Sequence, residues 1–133
     1  MARVHGKDIS SLSVDSAAGT PADMLADTKE LGFKVSAATH DTTTLGDDWF
    51  ESIAGLKGGD EFDHVLMYDN TTTTGNWAVY TARLGVIGTL SFGDGTRTVS
   101  METLCTALSL PVNVGEMLQV TATHKITGAV SFT

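Results

Sequence analysis

The chain is short of charged residues, proline and cysteine, and it is especially short of cations. Only 18% of its 133 residues are charged, and 16 acidic residues outnumber 8 lysines and arginines. The single cysteine, Cys105, excludes an internal disulfide and fits assembly in a reducing cytosol. The net charge of -8 argues against a DNA-binding protein, because such proteins concentrate lysine and arginine against the phosphates.

Long apolar runs are also missing. Nothing approaches the roughly 18 consecutive apolar residues that cross a bilayer, and the first seven residues lack the apolar core of a signal peptide. We therefore expect no membrane anchor. The length suits one domain over 1–133. The scarcity of charge favours association with other chains, because a charged surface is what keeps monomers apart.

Threonine, valine, glycine and serine are abundant, and alternation of apolar and polar residues predicts several strands. The clearest covers 117–130, where Val120, Ala122, His124 and Ile126 share one side. Others are predicted over 30–39, 86–92 and 97–108, the last two joined by a turn at 93–95. Segment 62–68 alternates like a strand and also fits a short helix.

Residues 75–84 are predicted to form the one helix. Trp77, Tyr80 and Leu84 recur at helical spacing, Asn76 is a candidate N-cap, and Gly85 is a candidate stop. A strand stays open here, since Trp77 also alternates with its neighbours.

These elements predict a mainly β fold. We expect a single antiparallel β-sandwich or open barrel with one short flanking helix. Residues 1–21 are weakly patterned, with Ile9, Leu12 and Val14 as their anchors, and form a candidate N-terminal arm.

No group of residues points to catalysis, a metal or a cofactor. The histidines have no ligand spacing with one another or with the cysteine. His124, on the apolar side of the best strand, is expected to be a hydrogen-bonded core or interface residue, and Cys105 a small buried one. Asp47, Asp48 and Glu51 do not match a calcium loop. We therefore predict that the protein is not an enzyme.

Segment 41–59 carries Trp49, Phe50, Ile53 and two leucines on a backbone with four glycines. It is too apolar for a solvated loop, too rich in glycine for a stable helix, and lacks the alternation of a core strand. Two interpretations stay open: the segment folds back onto its own domain, or a neighbouring chain covers it. The second favours a structural protein that assembles.

Several segments resemble the tail tube proteins of tailed bacteriophages. They are residues 1–9 (MARVHGKDI), 42–47 (TTTLGD) with 52–59 (SIAGLKGG), and 118–128 (LQVTATHKITG). The middle pair is similar to the family's T-T-x-G-D … P/A-G-L-K-x-G pattern, and the last to its final strand, which closes in an x-G step. The segments occur in the family's order and span most of the chain.

The resemblance implies a structural virion protein: six copies form a ring, and rings stack into the tail tube that carries DNA during ejection. Implied partners are further copies of the chain and other tail proteins such as tape measure, terminator and baseplate components. DNA would pass through the lumen without specific binding, which the acidic composition suits. The implied location is the virion tail, after assembly in the host cytoplasm. From its 133 residues we expect the chain to lack the extra strands or immunoglobulin-like domain that many members carry.

The resemblance also implies where subunits meet. A long assembly loop, here 40–59, would reach adjacent subunits and rings, and the N-terminal arm would contribute to stacking. The expected subunit and ring interface residues are Arg3, Val4, His5, Thr44, Leu45, Gly46, Asp47, Trp49, Phe50, Ile53, Gly55, Leu56 and Lys57.

Two other classes of function stay open. Another β-rich ring-forming assembly protein, such as a secretion-system tube ring, a tail-end ring or a capsid decoration subunit, shares the fold class and the acidity. A small binding module or enzyme needs a pocket with convergent polar groups, for which the sequence has no marker.

Overall fold

The computed structural model describes residues 3–46, 49 and 52–133, with the backbone alone for 53–57 and 59. Within these residues the chain forms ten strands and one α-helix, and short 3-10 turns at Gly6–Asp8 and Leu25–Asp27. The predicted mainly β fold with one short helix is confirmed. In chain order the elements are β1 Ser11–Asp15, β2 Pro21–Asp23, β3 Thr28–Leu31, β4 Val35–Asp41, β5 Ser52–Gly59, β6 Glu61–Met67, α1 Asn76–Arg83, β7 Ile87–Gly93, β8 Thr98–Ser109, β9 Gln119–Ile126 and β10 Ser131–Phe132.

Eight strands form one antiparallel sheet in the order β2-β1-β7-β8-β9-β6-β3, with β10 paired to the start of β8. The sheet curls, because the ring of Phe33 contacts both Phe62 on β6 and Phe92 on β7, strands three positions apart. Over the described residues the two outermost strands, β2 and β3, do not pair with each other. The sheet is therefore open, as predicted, and not a closed barrel.

One hydrophobic core fills the inside of the curled sheet, and α1 packs over it. The alternation predicted for β9 is confirmed, since positions 120, 122, 124 and 126 are all buried. Burying a large apolar side chain contributes about 1.5–3 kcal/mol, so this cluster is the main source of stability. Its buried members are Leu12, Val14, Met24, Phe62, Leu66, Val79, Tyr80, Leu90, Met101, Cys105, Ala122 and Ile126.

Four predicted strands are found near their expected bounds, as β6, β7, β8 and β9. Segment 62–68 is a strand and not a helix, with Phe62, His64 and Leu66 buried on one side. The turn between β7 and β8 contains Gly95 at φ 92°, a conformation that favours glycine. The strand predicted over 117–130 is shorter than expected, because the chain turns at Gly128 before β10 begins.

The predicted helix is confirmed, with two differences in detail. The N-cap is Gly75, and Asn76 is the first helical residue. Tyr80 is buried as predicted, but Leu84 is half exposed. The helix ends at Arg83, and Leu84 leaves it to bridge to β8, so it does not share the buried face.

The single strand predicted over 30–39 is wrong. β3 ends at Leu31 and belongs to the large sheet, whereas β4 begins at Val35 and pairs only with β5. Between them the side chain of Phe33 packs against the core. The alternation that suggested one strand therefore runs across a break between two strands. The chain leaves the domain at this point.

The candidate N-terminal arm is shorter than predicted. Residues Ser11–Asp15 form β1 inside the large sheet, paired with β7 on one side and β2 on the other. Leu12 and Val14 belong to the core. The described part of the arm that lies outside the sheet is therefore residues 3–10.

Candidate assembly surface

The segment expected to be a long assembly loop is largely a β-hairpin. β5 pairs antiparallel with β4, so that Val35 lies opposite Gly59 and Asp41 opposite Ser52. The expectation of a loop is therefore wrong over Ser52–Gly59, although β5 does not belong to the large sheet that surrounds the core. Backbone hydrogen bonds hold the ribbon, and they need no alternation of side chains in a strand such as β4, which is exposed throughout.

This hairpin projects from the domain and does not fold into it. All seven residues of β4 are exposed. At the tip, which joins β4 to β5, Leu45 is fully exposed and Trp49 is 83% exposed. The first interpretation of this segment, in which it folds back onto its own domain, is therefore wrong for the side chains of Leu45 and Trp49.

Polar contacts fix the base of the hairpin to the domain. The Asp60 backbone N–H donates to the Lys34 carbonyl over 3.2 Å, and the Ser36 hydroxyl donates to the Asp60 carboxylate over 3.3 Å. The Lys34 ammonium lies 3.8 Å from the same carboxylate. This ion pair is exposed and contributes little. These contacts anchor the hairpin to the domain at its base.

An apolar groove runs between the hairpin base and the C-terminal segment. It has a volume of about 490 Å³ and is lined by Val35, Ala37, Val130 and Phe132 together with neighbouring glycines and Ala129. Phe132 is largely exposed beside it. The groove continues the exposed apolar surface of the hairpin onto the domain.

The first described residues, 3–10, lead into β1 at the end of the domain from which the hairpin projects. The Ser10 backbone N–H donates to the Gly93 carbonyl, which places the end of this segment beside the β7–β8 turn. The His5 backbone N–H donates to the Asp8 carboxylate over 3.2 Å and closes a short turn. Val4 is more than half exposed.

The predicted interface residues thus divide into three groups. Arg3, Val4, His5, Thr44, Leu45, Gly46 and Trp49 are all exposed. For Ile53, Gly55, Leu56 and Lys57 the structure gives a backbone position on β5. Asp47 and Phe50 lie outside the described residues. For the residues of all three groups, a role in a subunit or ring interface stays a prediction.

A second exposed apolar surface was missed by sequence reasoning. The loop between β8 and β9 exposes Val112, Val114 and Met117. Leu84, directly after α1, and Ile87, the first residue of β7, are exposed as well. The signal was present, because residues 110–117 (LPVNVGEM) combine apolar side chains with proline, asparagine and glycine. The same criterion that identified 41–59 also applies to this segment.

Two histidines lie in the core, where the sequence placed only His124. The Tyr80 hydroxyl lies 2.5 Å from His64 Nδ1 and 3.0 Å from His124 Nε2. His64 Nε2 is 2.8 Å from the Thr28 hydroxyl, and His124 Nδ1 is 3.0 Å from the Thr103 hydroxyl. The prediction of a hydrogen-bonded core histidine at 124 is confirmed.

Burial determines the ionisation of this cluster. It lowers the pKa of His64 to about 3, with a further contribution from nearby His124, and lowers the pKa of His124 to about 4, with a contribution from Arg83. Burial also raises the pKa of the Tyr80 hydroxyl and of the Cys105 thiol. At neutral pH both histidines are uncharged and all four of their ring nitrogens are hydrogen-bonded.

This cluster is structural in character. Neither histidine is exposed to solvent, and no ring nitrogen is left for a metal or a substrate. Among the described residues no group of three histidine, cysteine or acidic side chains is placed to hold a metal ion. None of the helices in the described chain is long and apolar enough to cross a membrane.

Comparisons with known proteins identify the fold. No protein-family model and no curated protein sequence matches this chain. A chain in the tail of an empty GTA particle, computed with helical refinement and C6 symmetry, matches with a TM-score of 0.75 at 18% identity, covering 98% of this chain and 99% of that one. A chain in the virion of a native gene transfer agent (GTA) particle matches with a TM-score of 0.77 at 16% identity and the same coverage. From end to end, the chain has the phage tail tube-like fold that the sequence segments predicted.

Proposed function

We propose that this protein is the structural subunit of a phage-like tail tube, in which six copies form a ring and stacked rings form the conduit for DNA. The exposed β4–β5 hairpin carries this proposal. Large contiguous apolar surfaces on soluble proteins commonly mark sites of association, and here Leu45 and Trp49 stand at the end of a projecting ribbon. The match over almost the whole chain to a tail chain in a C6-symmetric particle supports the number six.

The outer face of the large sheet suits the wall of such a conduit. The Thr123 hydroxyl donates to the Asp63 carboxylate over 2.9 Å, and the Thr89 hydroxyl donates to the Glu102 carboxylate over 2.6 Å. A face of hydroxyls and carboxylates repels phosphate and offers little for counterion release. DNA would slide along it without being held.

Ring formation also accounts for the open sheet. β2 and β3 are unpaired at their outer edges over the described residues, and an unpaired strand edge is a site for association. In a closed ring each edge is covered by the next subunit, so no edge is left to aggregate. Tape measure, terminator and baseplate proteins would contact the two ends of the stack, in the virion tail.

The experiment is polymerisation of purified protein followed by negative-stain microscopy. We expect the wild type to form rings and tubes, and the double variant Leu45→Ser with Trp49→Ser to stay unassembled with an unchanged circular dichroism spectrum. Ala82→Ser, on the exposed side of α1, serves as the control and should assemble normally. Equal tube yield from the double variant would exclude the hairpin as the assembly element.

The distribution of particle lengths separates this function from the alternative. A tube subunit makes extended stacks of variable length, whereas a tail-end ring or a decoration protein stops at single rings or small oligomers. Closed rings alone, at every concentration, would favour the alternative.

A further inference from the structure

The helix α1 is fastened to the sheet mainly by polar groups. Of its four buried residues only Val79 is wholly apolar. The other three lie at the start, middle and end of the helix, and they are Asn76, Tyr80 and Arg83. In the described part of the chain, the backbone of α1 makes no hydrogen bond to a strand. The hydrogen bonds between α1 and the sheet therefore come from side chains.

The two ends of the helix are held by neutral backbone groups. Asn76 donates to the Met67 carbonyl over 2.6 Å and accepts from the Asp69 backbone N–H over 3.2 Å. The Arg83 guanidinium donates to three backbone carbonyls. They are those of Asp15, Val86 and Thr103. When a helix lifts, bonds of this kind are exchanged for bonds to water, so their net contribution is small.

The middle contact depends on the protonation of His64. The Thr28 hydroxyl donates its only hydrogen to the Met24 carbonyl over 2.7 Å. It therefore accepts from His64 Nε2, and His64 Nδ1 accepts from the Tyr80 hydroxyl. A proton added to His64 would lie on Nδ1 and point at the hydrogen of that hydroxyl. Two donors would then face each other, and the bond between β6 and the middle of α1 would be lost.

A proton on His124 acts on the end of the helix. Because the Tyr80 hydrogen is donated to His64, His124 Nε2 carries the ring proton and an added one would lie on Nδ1. The Thr103 hydroxyl is 3.0 Å from this nitrogen and 3.5 Å from the Arg83 guanidinium. A charged His124 would thus face the cation of α1 across a single hydroxyl.

The surroundings offer no compensating charge. The titratable and charged groups around the two rings are Tyr80 and Arg83 on α1, Cys105 on β8, and the second histidine in each case. In the described chain, no carboxylate is a hydrogen-bond partner of either imidazole. Burial accordingly lowers the pKa of His64 to about 3 and that of His124 to about 4.

We propose that the contacts of Tyr80 and Arg83 form an acid-sensitive latch: when His64 and His124 are protonated, α1 lifts from the sheet while the strands stay paired. Tyr80 lies against both imidazoles, so departure of the helix brings water to the new charges. The β6–β9 ladder consists of backbone hydrogen bonds, which do not titrate. The latch belongs to a single copy and does not depend on the tube function.

Opening should grow steeply with acidity. In the closed subunit both histidines stay uncharged until well below pH 6.5, whereas in the open one each lies in water and takes up a proton near its ordinary pKa. Through this linkage, each histidine raises the ratio of open to closed subunits by up to about tenfold per pH unit below 6.5.

Hydrogen-exchange mass spectrometry of the dilute, unassembled subunit tests the latch. Peptides from 76–84 report on α1, and peptides from 119–126 report on β9. Exchange is measured at pH 7.5, 6.5, 5.5 and 4.5, and each rate is divided by that of the unfolded chain at the same pH, because the chemical step itself depends on pH.

We expect the protection of α1 to fall by about tenfold or more between pH 6.5 and 4.5, while that of β9 changes by less than about threefold. Equal loss of protection in both sets of peptides at the same pH would show unfolding of the whole domain and overturn the latch. Peptides from α1 that are as protected at pH 4.5 as at pH 7.5 would overturn it as well.

Two variants assign the effect to the histidines. His64→Gln removes one of the two titrating groups, so the fall in protection of α1 should become less steep. The Asp27 carboxylate accepts from Asn76 over 3.4 Å, and Asp27→Asn should leave the response unchanged. A response that disappears in Asp27→Asn, or keeps its full steepness in His64→Gln, would overturn the assignment.

Discussion

At the scale of residues, both buried histidines belong to one chain of hydrogen bonds with a fixed direction, which runs from Arg83 to Met24. At one end the Arg83 guanidinium can only donate, and it lies 3.2 Å from the Thr103 carbonyl and 3.5 Å from its hydroxyl. At the other end the Thr28 hydroxyl donates to the Met24 carbonyl over 2.7 Å, and a carbonyl can only accept. Each group between them must then donate toward Met24.

This direction determines the tautomer of both histidines. The Thr28 hydroxyl donates its only hydrogen to the Met24 carbonyl, so it accepts from His64 Nε2, which carries the ring proton, and His64 Nδ1 accepts from Tyr80. The Tyr80 oxygen then accepts from His124 Nε2, and His124 Nδ1 accepts from Thr103. Both rings are neutral with the proton on Nε2, and every donor has an acceptor.

Replacing Tyr80 by phenylalanine should destabilise the fold by more than the loss of one hydrogen bond. The change leaves His64 Nδ1 and His124 Nε2 without a partner in the core, at about 1–3 kcal/mol for each buried unsatisfied group. Urea unfolding monitored by tryptophan fluorescence measures the loss. Tyr68→Phe, on a half-buried ring against Trp77, is the control and should cost less than about 1 kcal/mol. Equal effects of the two substitutions would contradict the chain of hydrogen bonds.

Stability should depend on pH in a defined window. The pKa of His64 is about 3 and that of His124 about 4 in the folded protein, against 6.5 for an unperturbed histidine. Between pH 6.5 and 4 the unfolded chain binds more protons than the folded one. The two histidines therefore make their full contribution to the free energy of unfolding above pH 6.5. That contribution falls as the pH is lowered from 6.5 toward 4. Each histidine contributes a slope of up to about 1.4 kcal/mol per pH unit.

Urea unfolding of the wild type at pH 7.5, 6.5, 5.5 and 4.5 measures this slope, mostly above the range in which carboxylates titrate. His40→Gln, at an exposed position on β4, should leave the slope unchanged. A free energy of unfolding that stays level from pH 6.5 to 4.5 would contradict neutral, buried histidines.

Sequence reasoning found part of this site. The alternation around His124 predicted burial, and burial of an imidazole requires a hydrogen-bonded partner. It could not name the partners, because Tyr80 lies 44 residues away and Thr103 lies 21 residues away in sequence. Such contacts depend on the order of strands in the sheet, and neighbouring residues do not encode that order.

At the scale of elements, the β4–β5 hairpin is the feature that local patterns describe least well. Its glycines and runs of apolar residues suggested a segment without regular structure, yet the backbone pairs over both strands. The core strands β6 and β9 were predictable because one face of each is buried and the other is wet. A strand such as β4, whose residues are all exposed, has no such pattern.

The hairpin should be the least protected part of the sheet structure in the free subunit. An isolated two-stranded hairpin is marginally stable in water, and in this one every residue of β4 is exposed. In hydrogen-exchange mass spectrometry we expect peptides from 35–41 and 52–59 to exchange much faster than peptides from β8 and β9. After assembly the hairpin peptides should become protected. Equal protection of the hairpin and β9 in the monomer would show that it is held by contacts within the domain.

At the scale of the whole molecule, fold and assembly follow from different parts of the chain. The core is built from alternating strands and one helix, and these determine a mainly β domain from composition and pattern alone. The order of the strands and the curl of the sheet were not predictable, since Phe33 joins β6 and β7 across three strand positions. Exposed apolar side chains such as Leu45, Trp49 and Val114 do not belong to the core of the single copy.

The state of association of the wild type tests the central claim most directly. Purified protein is examined from micromolar to millimolar concentration by analytical ultracentrifugation, and the largest species are imaged by electron microscopy. We expect six-fold rings and stacks of rings that lengthen with concentration. A monomer that persists over the whole range, with its hairpin exposed and no ring in the images, would contradict the account.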